Sequence, residues 1–176
     1  MRTLLCSSLL SICLLQLGCG GGGGEDTCAT LTGYKATSTA ALTFATDIAP
    51  ILASTATCGV QLACHGNAGG ASMPVKLNSA GTTLLLTADA AAVRTALLGP
   101  SVNAPTMVDV KPGDVAGSFL AYKLMGKAGL ACVKSSCVQG GSVSPTLCGD
   151  AMPSGANILS ASDRTKILDW IAQGAN

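Results

Sequence analysis

Cysteine residues constrain the fold of this chain more than any other feature of its sequence. The 176 residues include nine cysteines; two lie in the apolar N-terminal stretch, and a third, Cys19, directly follows it. The other six are Cys28, Cys58, Cys64, Cys132, Cys137 and Cys148. An even number of cysteines in an exported chain favours disulfides, although their pairing cannot be deduced from the sequence.

The N-terminus predicts export. Met1 and Arg2 give a short positive start, and an apolar run from Leu4 to Leu17 follows. This run suits the core of a signal peptide but is too short for a permanent membrane span. We therefore predict a signal peptide over residues 1–18 and a mature protein on the periplasmic side of a membrane.

The end of the signal peptide resembles the lipobox of bacterial lipoproteins, in which the cysteine becomes the lipidated first residue. Leu17-Gly18-Cys19 has this pattern and precedes five consecutive glycines, although Gln16 stands where the family usually has leucine. The resemblance implies a lipid on Cys19 and, because Gly20 is neutral, attachment to the outer membrane. We predict a flexible Gly-rich tether over residues 19–42 that becomes ordered near Cys28. Ordinary signal cleavage nearby is the alternative.

Composition limits both the core and the possible partners. The chain is 48% hydrophobic but only 3% aromatic and 11% charged, so its core must consist mainly of small side chains with some Leu, Ile and Val. Its length suits one domain. The net charge of +1 gives no electrostatic footprint for nucleic acid, and we predict no nucleic-acid partner.

Apolar residues at helical spacing predict four short helices. These are residues 47–52, capped by Asp47; residues 88–98, capped by Thr87; residues 115–125, between Asp114 and Gly126; and a last helix from Ser160 to Gly174. Ser160 and Asp163 form a capping box, and Ile167, Trp170 and Ile171 give a buried stripe. Residues 127–157 show little periodicity and hold three cysteines, which predicts a loop pinned by disulfides. We predict an all-α domain over residues 43–176.

Several motifs, taken in chain order, resemble a c-type cytochrome domain, and are most similar to the cytochrome c-like lipoproteins of myxobacterial and planctomycete type. The motifs are Phe44 to Leu52, Cys64-His65-Gly66, Lys111-Pro112-Gly113-Asp114, Met152-Pro153 and Asp169 to Ala175. Together they extend over roughly residues 44–176. Each motif alone is weak, but the order of the C-terminal ones is specific.

The resemblance implies a small cytochrome c-like fold that binds one haem c. Cys58 and Cys64 would form thioethers to the haem, His65 would be the proximal ligand of its iron, and Met152 the distal ligand. A His/Met pair suits single-electron transfer to a redox partner protein, so the resemblance implies an electron carrier and not an enzyme. Met73-Pro74 repeats the Met-Pro dipeptide, and Met73 stays an alternative distal ligand.

The spacing of the two cysteines departs from the family pattern, which has two residues between them. Five residues separate Cys58 from Cys64, and on a regular helix at about 100° per residue the two thiols would point apart. Three outcomes are open: two thioethers with a looped insert, one thioether from Cys64, or a Cys58–Cys64 disulfide without haem.

A haem-free lipoprotein that uses the same scaffold as a binding or structural module is the competing interpretation. With haem on Cys58 and Cys64, the disulfide candidates Cys28, Cys132, Cys137 and Cys148 would form two bridges; without haem, six cysteines would form three. Both counts are even, so the number of cysteines does not separate the two. A zinc site is disfavoured because the chain has one histidine and is predicted to be exported.

Overall fold

The computed structural model describes residues 25–54, 89–139, 142–143, 145–153 and 159–176. Over these ranges the chain is mainly helical, which confirms the predicted all-α fold class. Its helices are α1 (Glu25–Thr32), α2 (Ala49–Ala53), α3 (Ala90–Leu97), α4 (Phe119–Leu124), α5 (Gly126–Cys132) and α6 (Ala161–Ala172). Two-residue strands, β1 (Val138–Gln139) and β2 (Ser142–Val143), pair antiparallel. None of the described helices has both the length and the apolar character needed to cross a membrane.

Helix α6 forms the centre of the core. Ser160 Oγ accepts from the Asp163 backbone N–H at 3.0 Å and lies 2.8 Å from the Asp163 carboxylate, which confirms Ser160 as the N-cap. The predicted stripe is confirmed too, because Ile167, Trp170 and Ile171 are each 0% exposed. The Trp170 indole N–H donates to the Asn176 carbonyl at 2.8 Å, so its one polar group is satisfied inside the core.

The segment before α2 packs directly on α6. The ring of Phe44 lies 5.3 Å from that of Trp170, and the Phe44 N–H donates to the Asn176 carbonyl at 2.8 Å. The prediction that Asp47 is the N-cap is wrong. A π-helical turn over Phe44–Ile48 precedes α2. The Asp47 carboxylate accepts from the backbone N–H of Thr43 at 2.8 Å, so it bonds to the residue that starts this turn and does not act as the N-cap of α2.

Helix α3 starts two residues later than predicted. Its N-cap is Asp89, which accepts from the Ala92 N–H at 3.0 Å, whereas the predicted cap, Thr87, lies outside the described residues. Val93 and Leu97 are buried as the apolar spacing predicts. Arg94 Nε donates to the Ala175 carbonyl at 2.7 Å, which ties this helix to the chain after α6.

The region predicted as one helix over 115–125 contains a turn followed by the shorter helix α4. Asp114 forms an ion pair with Lys111 at 2.8 Å and accepts from the Gly117 N–H at 2.9 Å, and these bonds hold the chain in a turn before α4. Gly126 ends α4 as predicted, with φ of 71°. Helix α5 then follows at once, so the prediction of a loop from residue 127 is wrong over Gly126–Cys132.

Close packing of α4 on α5 explains why periodicity missed the second helix. A Cβ at Gly129 would collide with the carbonyl of Tyr122, so the helices approach through a residue without a side chain. The buried face of α5 is therefore one glycine and Leu130, which is 5% exposed. A two-residue face gives no apolar repeat for a sequence pattern to reveal.

The start of order near Cys28 agrees with the prediction, but the bound of the flexible tether at residue 42 is wrong. Residues 20–24 lie outside the described part of the chain, but Glu25–Thr32 forms α1 and Leu31 is only 1% exposed in the core. A disulfide joins Cys28 to Cys132 on α5. Composition predicted flexibility because Thr, Ala and Gly dominate here, whereas one leucine and one cysteine fix this segment to the domain.

The carboxylate of Asp169 fixes the next part of this N-terminal segment to α6. It is 2% exposed and accepts four hydrogen bonds: from the Tyr34 hydroxyl at 2.8 Å, the Thr37 N–H at 2.9 Å, the Thr37 hydroxyl at 2.8 Å and the Ser38 N–H at 2.8 Å. Burial acts to raise the pKa of Asp169, but the bonds from Thr37, Tyr34 and Ser38 outweigh it and hold that pKa below its ordinary value.

We expect Asp169→Asn to lower the free energy of unfolding by about 3 kcal/mol, because an amide cannot accept all four bonds and leaves buried donors unpaired. Tyr34→Phe removes one of the four donors and should cost about 1 kcal/mol. Urea unfolding at neutral pH measures both. Equal effects of the two substitutions would contradict the carboxylate's role as a shared acceptor.

The sign of the pH dependence follows from the lowered pKa. The stabilisation from ionised Asp169 is fully present above the ordinary aspartate pKa of about 3.9 and is lost as the pH falls through the lower folded-state value. The Asp169→Asn variant should therefore not show this loss of stability as the pH falls, because it has no carboxylate to protonate at that position.

Candidate functional site

The residues predicted to attach the haem lie outside the described part of the chain. These are Cys58, Cys64 and His65, and the same holds for Met73 and for the predicted lipidation site Cys19. The predicted site residues that the structure does place are Met152 and the four disulfide candidates. The candidate site is therefore built from the Met152 segment and its neighbours.

The four disulfide candidates pair with one another. Cys28 bonds to Cys132 with a Cα–Cα distance of 5.7 Å, and Cys137 bonds to Cys148 with a Cα–Cα distance of 5.0 Å. The sequence left this pairing open. Because each cysteine forms one disulfide, Cys58 and Cys64 are not partners of any of these four.

Met152 lies against the core at the end of α4. Its side chain is partly buried and packs on the main apolar cluster. Its backbone N–H donates to the carbonyl of Lys123 at 3.0 Å, and a cis peptide bond joins it to Pro153. A thioether in this position is held by its backbone and has apolar neighbours.

Lys123 holds the segment before Met152 at a second point. Its ammonium donates to the Cys148 carbonyl at 3.2 Å and lies 5.4 Å from the centre of the Phe119 ring. One residue of α4 thus bonds to both ends of the segment 148–152, through its side chain at Cys148 and through its carbonyl at Met152. The Cys137–Cys148 disulfide fixes the same end covalently.

Gly149 allows the backbone to turn between these two points. Its φ is 72°, a conformation that L side chains rarely adopt, and a Cβ there would lie 3.0 Å from the Asn103 amide nitrogen. The backbone between Cys148 and Met152 therefore passes through a conformation that strongly favours glycine.

Asp109 adds a titratable group beside Lys123. Burial raises the pKa of Asp109 to about 7, although a hydrogen bond with Ser101 and the charge of Lys123 act to lower it. Its backbone N–H donates to the Gly99 carbonyl at 3.0 Å, which fixes the loop that carries it. This carboxyl changes its charge near neutral pH.

Sequence reasoning did not single out Lys123 or Asp109 as functional residues. Lys123 fell within the segment that resembles the cytochrome family, but nothing marked its contact with Cys148, which is 25 residues away. Asp109 follows an apolar residue in a predicted loop, and a single carboxylate in a loop gives no signal of burial. Both depend on contacts between distant segments.

The described residues do not form a metal centre by themselves. Within those ranges no group of three His, Cys, Asp or Glu side chains is arranged to hold a metal ion. Met152 offers one soft thioether ligand, and any further ligand must come from elsewhere. The arrangement can present a thioether from a segment whose backbone is held by Lys123.

We expect the free energy of unfolding to fall as the pH rises from about 4 to about 7, on the order of 2 kcal/mol, because folded Asp109 keeps a proton that the unfolded chain has released. Above pH 7 this contribution is lost. Asp109→Asn should remove the fall, and Asp150→Asn, which alters an exposed carboxylate, should retain it. Denaturant titrations across this range measure the slope, and an unchanged slope in Asp109→Asn would contradict the assignment.

Comparisons of the chain with protein-family models, with curated proteins and with solved structures gave no match. The family assignment therefore remains a prediction from sequence motifs. The mainly helical fold and the two disulfides rest on the structure itself.

Proposed function

We propose that this protein is an exported, membrane-anchored c-type cytochrome that carries single electrons to a redox partner protein through one covalently attached haem. The observation that carries the proposal is the partly buried thioether of Met152, whose backbone is held by α4, and the cysteine pairing leaves two thiols available for the porphyrin. Cys28–Cys132 and Cys137–Cys148 use four of the six cysteines that follow Cys19, so the unassigned pair is Cys58 and Cys64, the two beside the lone histidine.

The proposed roles of the site residues follow from their chemistry. Cys58 and Cys64 would hold the porphyrin, His65 would be the proximal ligand and Met152 the distal ligand. Haem with two axial protein ligands supplies a one-electron couple and leaves no open position for oxygen chemistry. The polypeptide would bind the haem, orient it and exclude water from it.

Met152 supports this proposal because it fits a distal ligand in chemistry and in placement. Its thioether is a soft ligand, it is partly buried against apolar residues, and Lys123 holds the segment that carries it. A flexible exposed methionine would need to lose conformational entropy on ligation, whereas this backbone is already fixed.

Export to the periplasmic side, with a lipid on Cys19 and attachment to the outer membrane, belongs to the same proposal. The two disulfides support an oxidising compartment, since such bonds persist outside the cytosol. The signal peptide and the lipobox resemblance add the route and the anchor.

A haem-free binding or structural lipoprotein is the second candidate function. It is favoured by one observation: the described part of the chain holds an apolar cluster, two disulfides and the Asp169 contacts, which stabilise it through protein groups alone. In this case Cys58 and Cys64 would form a third disulfide.

Pyridine haemochrome spectra of protein made with the c-type maturation machinery test the proposal. We expect a spectrum of covalent haem that is lost in the Cys58→Ser/Cys64→Ser double variant. Cys58→Ser alone distinguishes two thioethers from one, because the α band shifts when a vinyl group is left free. Absence of haem from the parent protein would overturn the cytochrome and support the haem-free module.

The distal ligand is tested by a matched pair of substitutions. We expect Met152→Ala to lower the midpoint potential by a substantial part of the roughly 0.8 V range that axial ligands set, and to open the site to added imidazole. Met73→Ala is the control and should leave the potential unchanged. The reverse result would assign the distal position to Met73.

A further inference from the structure

The distance between the proposed lipid anchor and the folded domain is short. Helix α1 begins at Glu25, so the chain has six peptide steps from Cys19 to the start of the domain, a span of at most about 22 Å when fully extended. The tether to residue 42 expected from composition would have reached about 80 Å. The structure therefore shortens the reach of the domain severalfold.

Helix α1 cannot unwind to lengthen this connection. Leu31 is 1% exposed in the core, and the Cys28–Cys132 disulfide attaches the helix covalently to α5. Beyond it, Tyr34 and Thr37 are bonded to the carboxylate of Asp169 on α6. Three independent contacts within 18 residues of Cys19 thus fix the start of the domain.

The end of the domain nearest the proposed anchor carries charges of both signs. Glu25 and Asp26 begin α1, and Lys35 is the one charged residue between Thr27 and Thr46 in the sequence. The side chains of Ala29, Thr30, Thr32 and Lys35 are exposed there, and we name these four residues the α1 face. Bacterial headgroups carry phosphate, and the hydroxyls and the ammonium group of these four residues are hydrogen-bond donors that suit it.

We infer that the α1 face lies on the phospholipid headgroup surface of the membrane that holds the anchor, an inference that rests on the lipidation in the proposed function. A domain of about 150 residues has a radius of gyration of about 15 Å and a diameter near 40 Å. A connection of about 22 Å cannot pass around a body of that size. The start of α1 therefore stays within about 22 Å of the bilayer, and the side of the domain farthest from α1 is the side that a redox partner can approach.

Paramagnetic broadening in nanodiscs tests this orientation. The mature full chain, purified with its acyl chains, is placed in bilayers of phosphatidylethanolamine and phosphatidylglycerol that contain a gadolinium-chelating headgroup lipid. We expect the methyl signals of Ala29 and Ala36 to broaden more strongly than those of Ala45, before α2, and Ala91 on α3, which are also exposed. Equal broadening of the four methyls would overturn the inference.

An insertion variant separates the effect of tether length from chance adhesion. About 18 Gly and Ser residues placed between Gly24 and Glu25 raise the maximal reach to about 86 Å, and the difference between the two pairs of methyls should then shrink. An unchanged difference would overturn the inference from tether length.

Flotation of the full chain with liposomes tests membrane attachment separately. Failure to float would contradict both the lipid anchor and this inference, whereas flotation with even broadening would contradict this inference alone. Haem content is measured on the same samples.

Discussion

The buried carboxylate of Asp169 is the interaction on which the described fold most depends. It accepts two backbone and two hydroxyl hydrogen bonds from residues 34–38, so an ionised group inside the core is compensated entirely by neutral donors. Gln173, one turn further along α6, continues the contact by donating to the Ser38 and Ala40 carbonyls. Because Trp170 lies between these two residues on α6 and packs on Phe44, the same helix organises the N-terminal segment and the core.

The Met152 segment depends on a separate set of contacts. The Cys137–Cys148 disulfide fixes its start, Gly149 has a positive φ that favours glycine, and Lys123 bonds to both ends of the segment. Disulfides and buried polar contacts compensate for short helices, which are marginal by themselves. The proposed haem would lie beside a methionine whose position is set by α4, and the pairing of four cysteines leaves Cys58 and Cys64 for its attachment.

Local signals in the sequence predicted the elements that are stabilised locally. Ser160 and Asp163 marked the start of α6, the spacing of Ile167, Trp170 and Ile171 marked its buried stripe, and Gly126 marked the end of α4. Long-range contacts were not predictable: Asp169 carried no sign that it binds residues more than 130 positions away, and a glycine at the contact hid α5. Within the candidate site, Met152 was predicted from a resemblance, whereas Lys123 and Asp109 emerge only from the tertiary structure.

The chemical state of Cys58 and Cys64 decides whether the protein is a c-type cytochrome. It is read by intact-mass analysis and peptide mapping of the denatured, unreduced mature protein, made with the c-type maturation machinery and treated with an alkylating reagent. We expect one retained haem, no alkylated thiol, and disulfide-linked peptides joining Cys28 to Cys132 and Cys137 to Cys148. A protein without the haem mass, in which a third disulfide joins Cys58 to Cys64, would contradict it.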